Sequence, residues 1–98
     1  MAVKVSTWDV SEYLETEEDI AAYLNAVVDE GDPVLLQAAL GDVAKARGMS
    51  SIAKDAGVSR ESLYRSLSVT GNPSFQTVAK VADSLGLQLH FQPASAQG

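Results

Sequence analysis

The chain has 98 residues, is 46% hydrophobic, and carries a net charge of −6 with no cysteine and a single histidine, His90. That size and apolar share suit one compact domain rather than a disordered chain. The missing thiols exclude disulfides, cysteine catalysis and thiolate metal sites, and one histidine leaves no material for a histidine metal cluster or a conventional triad. No cofactor is expected, and no catalytic or metal-binding residue stands out.

No apolar run approaches the roughly 20 residues that span a bilayer, and no basic-then-apolar leader opens the sequence. A reducing, cytoplasmic setting with no membrane partner is the expectation. The charge is divided unevenly. Residues 1–33 hold nine acids against Lys4, a balance of −8, whereas residues 34–98 hold six cations against four acids, a balance of +2. An acidic front and a mildly basic rear suit two partners of opposite charge, or equally a solvated acidic helix with no partner.

In chain order, Ala2–Thr7 alternates weakly and reads as a short strand or an arm, and Asp9 is placed to cap a brief turn through Val10 and Leu14. Thr16, with Asp19 three residues on, opens a helix whose apolar face is Ile20, Tyr23, Leu24 and Val27, and Gly31 ends it. Asp32-Pro33 opens a second helix, with Leu36, Ala39, Leu40 and Val43 inward and Gly48 as its stop. Gly41 inside that helix costs about 1 kcal/mol relative to alanine and marks a close helix crossing. Ser50 or Ser51 opens a short third helix ending at Gly57, and Ser59 caps a fourth through Leu67. Thr70–Ser74 is a turn, and Ser74 caps a fifth helix with Phe75, Val78, Ala79, Ala82 and Leu85 inward, closed by Gly86. Leu87, Leu89 and Phe91 alternate with Gln88, His90 and Gln92, the pattern of a half-buried strand that puts His90 on the surface. The expected fold class is therefore all-α, about five helices in one domain over residues 1–92 with a short C-terminal β-strand, followed by a disordered tail over 93–98.

The segment Met49–Leu67 has the mechanics of a helix-turn-helix. Ala53 is small where two helices cross, Gly57 takes the turn, Val58 plugs the corner, Ser59 caps the second helix, and Leu63 and Leu67 anchor it. On a 100° wheel Arg60, Glu61, Tyr64 and Arg65 span about 140° of the opposite face. A helix pinned by two leucines with a polar, cationic outer face suits reading of a DNA major groove.

The residues Ala53, Gly57, Val58, Ser59 and Leu63 resemble the lambda-repressor-like (XRE-type) helix-turn-helix family. Ser66 departs from it, since a bulky apolar residue is usual there; Leu67 taking that place leaves the register of the last turn open. Over roughly residues 8–90 the stretches Trp8-Asp-Val-Ser-Glu-Tyr-Leu, Glu18-Asp-Ile-Ala-Ala-Tyr-Leu, Gly31-Asp-Pro-Val-Leu-Leu-Gln-Ala-Ala-Leu-Gly-Asp-Val-Ala-Lys-Ala-Arg-Gly-Met, Gly57-Val-Ser-Arg-Glu-Ser-Leu-Tyr-Arg-Ser-Leu and Gly71-Asn-Pro-Ser-Phe resemble the small addiction-module antidotes, the HigA-like antitoxins. That resemblance implies a bacterial type II antitoxin that silences a small RelE/ParE-like toxin and represses its own operon as a dimer.

The candidate DNA-binding residues are Ser50, Ser51, Lys54, Ser59, Arg60, Glu61, Ser62, Tyr64, Arg65, Asn72 and Ser74. Arg60 and Arg65 suit base or phosphate contact, the serines suit phosphates, and Asn72 with Ser74 suit a backbone clamp from the far side. Each has a plainer reading beside it: solvating arginines, capping serines, a tyrosine packed on the helix crossing, and turn formation by Asn72 and Ser74. The candidate toxin-binding residues are Trp8, Glu12, Tyr13, Glu15, Glu17, Glu18 and Tyr23, of which the aromatics serve equally as core or staple residues. The expected partners are double-stranded operator DNA, a small basic toxin and a second copy of the chain. Two rivals share these features, a stand-alone prophage-type repressor without a toxin and an interaction module whose helix-turn-helix no longer binds DNA.

Overall fold

The computed structural model describes residues 14–94, and five helices follow one another along them: α1 (Glu17–Glu30), α2 (Pro33–Arg47), α3 (Met49–Ala56), α4 (Arg60–Ser66) and α5 (Phe75–Ser84). The all-helical reading and the order of elements agree with the sequence. Helix α3 sits at the centre, against α2, α4 and α5, while α1 packs on the outer side of α2.

Local chemistry explains the helix starts. The Thr16 hydroxyl accepts from the Asp19 N–H at 3.0 Å, and the Asp19 carboxylate accepts from the Thr16 N–H at 3.2 Å, a reciprocal capping box built with aspartate. Asp32 accepts from the Val34 N–H at 2.9 Å with Pro33 at the first helical position. Ser59 and Ser74 cap α4 and α5 in the same way.

Helix α3 departs from expectation. It begins at Met49 directly after Gly48, and no side chain caps it. A single residue separates α2 from α3, so Ser50 and Ser51 already fall inside the first turn, where their hydroxyls cannot reach back to cap it.

One terminating device occurs twice. The Gly57 N–H donates to the Lys54 carbonyl and the Val58 N–H to Ala53, which closes α3. Gly86 donates to Asp83 and Leu87 to Ala82, which closes α5. Both are Schellman closures around a glycine at positive φ, 76° and 81°, each followed by an apolar residue folded onto the core. Val58 plugs the α3–α4 corner for this reason.

The expected strand at Leu87–Phe91 is not there. Leu87 is consumed by the closure of α5, and among the described residues no extended segment offers it a ladder. Leu89 and Phe91 consequently project outward, Phe91 at 88% exposure. Phe75, expected inside, is 68% exposed. It occupies the first position of α5, ahead of the buried stripe Val81, Ala82 and Leu85, with Val78 partly covered. The expected arm at Ala2–Thr7, the turn from Asp9 and the last four residues of the tail lie outside the described residues.

Ile20, Val43, Leu63, Leu67 and Val81 are the largest fully buried side chains, and no polar or charged residue is buried among the described ones. Gly41 has the role its sequence position suggested. A Cβ there would lie 3.1 Å from the Leu67 carbonyl oxygen and 3.3 Å from its Cβ, so α2 touches the end of α4 at that point. Gly41→Val should lower stability by about 1–3 kcal/mol through overpacking. It should appear as a lower urea midpoint at unchanged slope.

Candidate nucleic-acid interface

Helix α4 has only seven residues, too short to persist unaided, and owes its existence to packing. Leu63 and Leu67 are fully buried one turn apart, which settles the register left open at Ser66. Ser66 is half-buried, and its hydroxyl donates to the Leu63 carbonyl at 3.3 Å. With the leucines inward, Arg60, Glu61, Tyr64 and Arg65 are all exposed. Neither guanidinium has an ion-pair or hydrogen-bond partner among the described residues.

The other expected residues gather around this helix. Ser59 is engaged as the cap, accepting from the Ser62 N–H at 3.0 Å, and Ser62 is half-buried. Ser50, Ser51 and Lys54 are exposed on α3, the helix packed against α4. The Ser74 hydroxyl accepts from the Thr77 N–H and donates to the Thr77 hydroxyl, both at 3.0 Å, while Asn72 is exposed in the turn before it. An open groove of about 400 Å³ runs between α4 and the start of α5. Ser62, Arg65, Asn72 and Ser74 all line it.

Two residues of this surface lay outside the sequence reading. Lys45, in the last turn of α2, holds its ammonium 5.3 Å from the centroid of the Tyr64 ring and donates to the Tyr64 hydroxyl at 3.5 Å. Tyr64 is thus held by a cation and does not fill the helix crossing. Gln37 is the second. Its amide nitrogen donates to the carbonyls of Ser68 and Gly71, at 2.5 and 2.9 Å, across more than thirty residues of sequence. Gly71 itself lies so close to the end of α4 that a Cβ would overlap the carbonyl oxygens of Arg65 and Ser66. The only sequence signal for Gln37 is its place one turn before Gly41 on the same face of α2.

The acidic front is less concentrated. Glu15, Glu17 and Glu18 are exposed at the start of α1, and Trp8, Glu12 and Tyr13 lie outside the described residues. Tyr23 is half-buried against the core. Burial pushes its phenol pKa above the ordinary 10.0, with the nearby Asp42 charge adding in the same direction. No grouping of His, Cys, Asp and Glu among the described residues could hold a metal ion. No described helix is long and apolar enough to cross a membrane.

Residues 4–93 match a family described as "probable addiction module antidote protein". The chain belongs to that family. The chain is also 51% identical over 92 residues to an uncharacterized protein of Haemophilus influenzae, covering 94% of this chain and 95% of the relative. No solved structure matches it. An antidote implies a toxin as partner, and the family points to a regulatory protein rather than an enzyme.

Gln37→Met keeps the side-chain length and removes both donors, leaving the Gly71 carbonyl unpaired while that of Ser68 keeps only the Gly71 N–H. The protein should lose about 1–2 kcal/mol of stability in chemical unfolding. Tyr23 gives a second expectation. Its folded-state pKa is raised, so the stability it contributes is fully present below the ordinary value and is lost as pH rises through the folded one. Stability should therefore decline above pH 10.0, and Tyr23→Phe should flatten that decline in thermal melts across the alkaline range.

Proposed function

We propose that the protein is the antitoxin of a type II toxin–antitoxin module, neutralising a small basic RelE/ParE-like toxin and repressing its own operon as a homodimer. In this reading α3 and α4 form a lambda-repressor-like helix-turn-helix, as in the HigA-like antitoxins, and α4 enters the major groove. The observation that carries the DNA half is the exposure of Arg60, Tyr64 and Arg65 on one face of a helix fixed by Leu63 and Leu67.

Arg60 and Arg65 are the base or phosphate readers, since a guanidinium can bridge guanine O6 and N7. Lys54 and Lys45 add salt-dependent attraction to phosphates. Asn72, with the backbone at the start of α5, holds the strand on the far side of the groove. Glu61 and the serines 50, 51, 59, 62 and 74 complete that contact surface. Two copies would place their recognition helices about 34 Å apart on successive major grooves of a pseudo-palindromic operator. The toxin half rests on the family and on charge. Glu15, Glu17, Glu18 and Tyr23, with Trp8, Glu12 and Tyr13 ahead of them, belong to a front of balance −8 suited to a basic, RNA-binding protein.

Co-expression with the small basic protein encoded in the same operon tests the toxin half. A stable complex and rescued growth are expected. Failure of both would leave a stand-alone repressor. Arg60→Ala combined with Arg65→Ala should weaken operator binding by at least about a hundredfold while toxin neutralisation persists. Joint loss of both activities would refute this division of labour, and sedimentation as a monomer at the concentrations that occupy the operator would refute the dimer.

A further inference from the structure

The connection between α1 and α2 carries an apolar surface that the fold leaves uncovered. Val28 in the last turn of α1, and Val34 and Leu35 in the first turn of α2, are 51%, 47% and 48% exposed. Three large aliphatic side chains within eight residues of sequence, on either side of one tight connection, form a concentration that a solvated surface has no need of.

The charges around them break a local rule. A helix C-terminus carries negative dipole charge and favours cations. Helices α2, α3 and α4 each have a cation in the last turn. Helix α1, like α5, has none, and it alone ends on two consecutive acids, Asp29 and Glu30, with Asp32 two residues further on. All three acids are exposed, and none has an ion-pair partner among the described residues. From Val5 to Ala44 the sequence contains no Lys, Arg or His at all. Asp32 is accounted for as the cap of α2; the side chains of Asp29 and Glu30 have no partner among the described residues and oppose the dipole at the end of their own helix.

We infer that the α1–α2 connection is the docking surface for the toxin, with Val28, Val34 and Leu35 as its apolar centre and Asp29 and Glu30 as its anionic rim. This rests on the antitoxin reading and moves the principal contact from the start of α1 to its end. The occupant is a basic protein, because cationic side chains placed there relieve the unfavourable end of α1 while the aliphatic centre is buried. A second copy of the chain is disfavoured, since a two-fold contact at this corner would set the same acids against each other.

The test uses the full-length antidote and the purified basic protein of the same operon, with affinity measured by calorimetry at several salt concentrations. Asp29→Lys combined with Glu30→Lys should raise the thermal midpoint of the antidote, by favouring the end of α1, and yet weaken toxin binding by at least about tenfold with a shallower salt dependence. Val34→Ser combined with Leu35→Ser should weaken toxin binding to a similar degree, and operator affinity should be unchanged in both variants. Unaltered toxin affinity in both would overturn the surface while leaving the antitoxin reading intact. A wild-type antidote that does not bind the protein at all would overturn that reading and this inference together. If the serine variant instead dissociates a wild-type dimer and keeps toxin affinity, the patch is a self-interface and the inference is wrong.

Discussion

The close approach of α2 to the end of α4 is the constraint on which the rest of the structure depends. Gly41 lets the backbone of α2 come against Leu67, and one turn earlier Gln37 binds the carbonyls of Ser68 and Gly71. Helix α4 is seven residues long and would not hold its shape alone. Its orientation is therefore set from outside, by two leucines pressed into the core and by this seam along α2. Once those are fixed, the outward direction of Arg60, Tyr64 and Arg65 follows from helical periodicity.

Much of the fold was legible because its signals are local. Capping acids and serines, glycines after the last turn and apolar residues at three- and four-residue spacing each declare a helix within a few positions. Four of the five helices open where such signals stand. The failures share one cause, which is information held by distant residues. Leu87–Phe91 alternates as a strand would, but a strand needs a neighbour, and the closure of α5 had already claimed Leu87. Phe75 looks like a core residue until the position of the packed face along α5 is known.

The candidate site divides along the same line. The face of α4 could be drawn on a wheel from the sequence alone, because Leu63 and Leu67 define its inner side. Gln37 and Lys45 could not, since each acts on a residue about twenty to thirty positions away and neither belongs to a recognisable motif. Ser50 and Ser51 illustrate the opposite error. Serine near a helix start invites a capping role, and only the one-residue link at Gly48 shows that the start lies earlier.

That link has a mechanical meaning. Gly48 ends α2 and begins α3 at once, so there is no slack between them. Helix α2, about 22 Å long for its fifteen residues, is thereby a lever. One arm reaches the α1–α2 connection, and the other is joined without play to the helix that supports α4. The route from the α1–α2 connection to the arginine-bearing face therefore runs along one helix and through a single residue, with the Gly41–Leu67 contact as a second point of attachment.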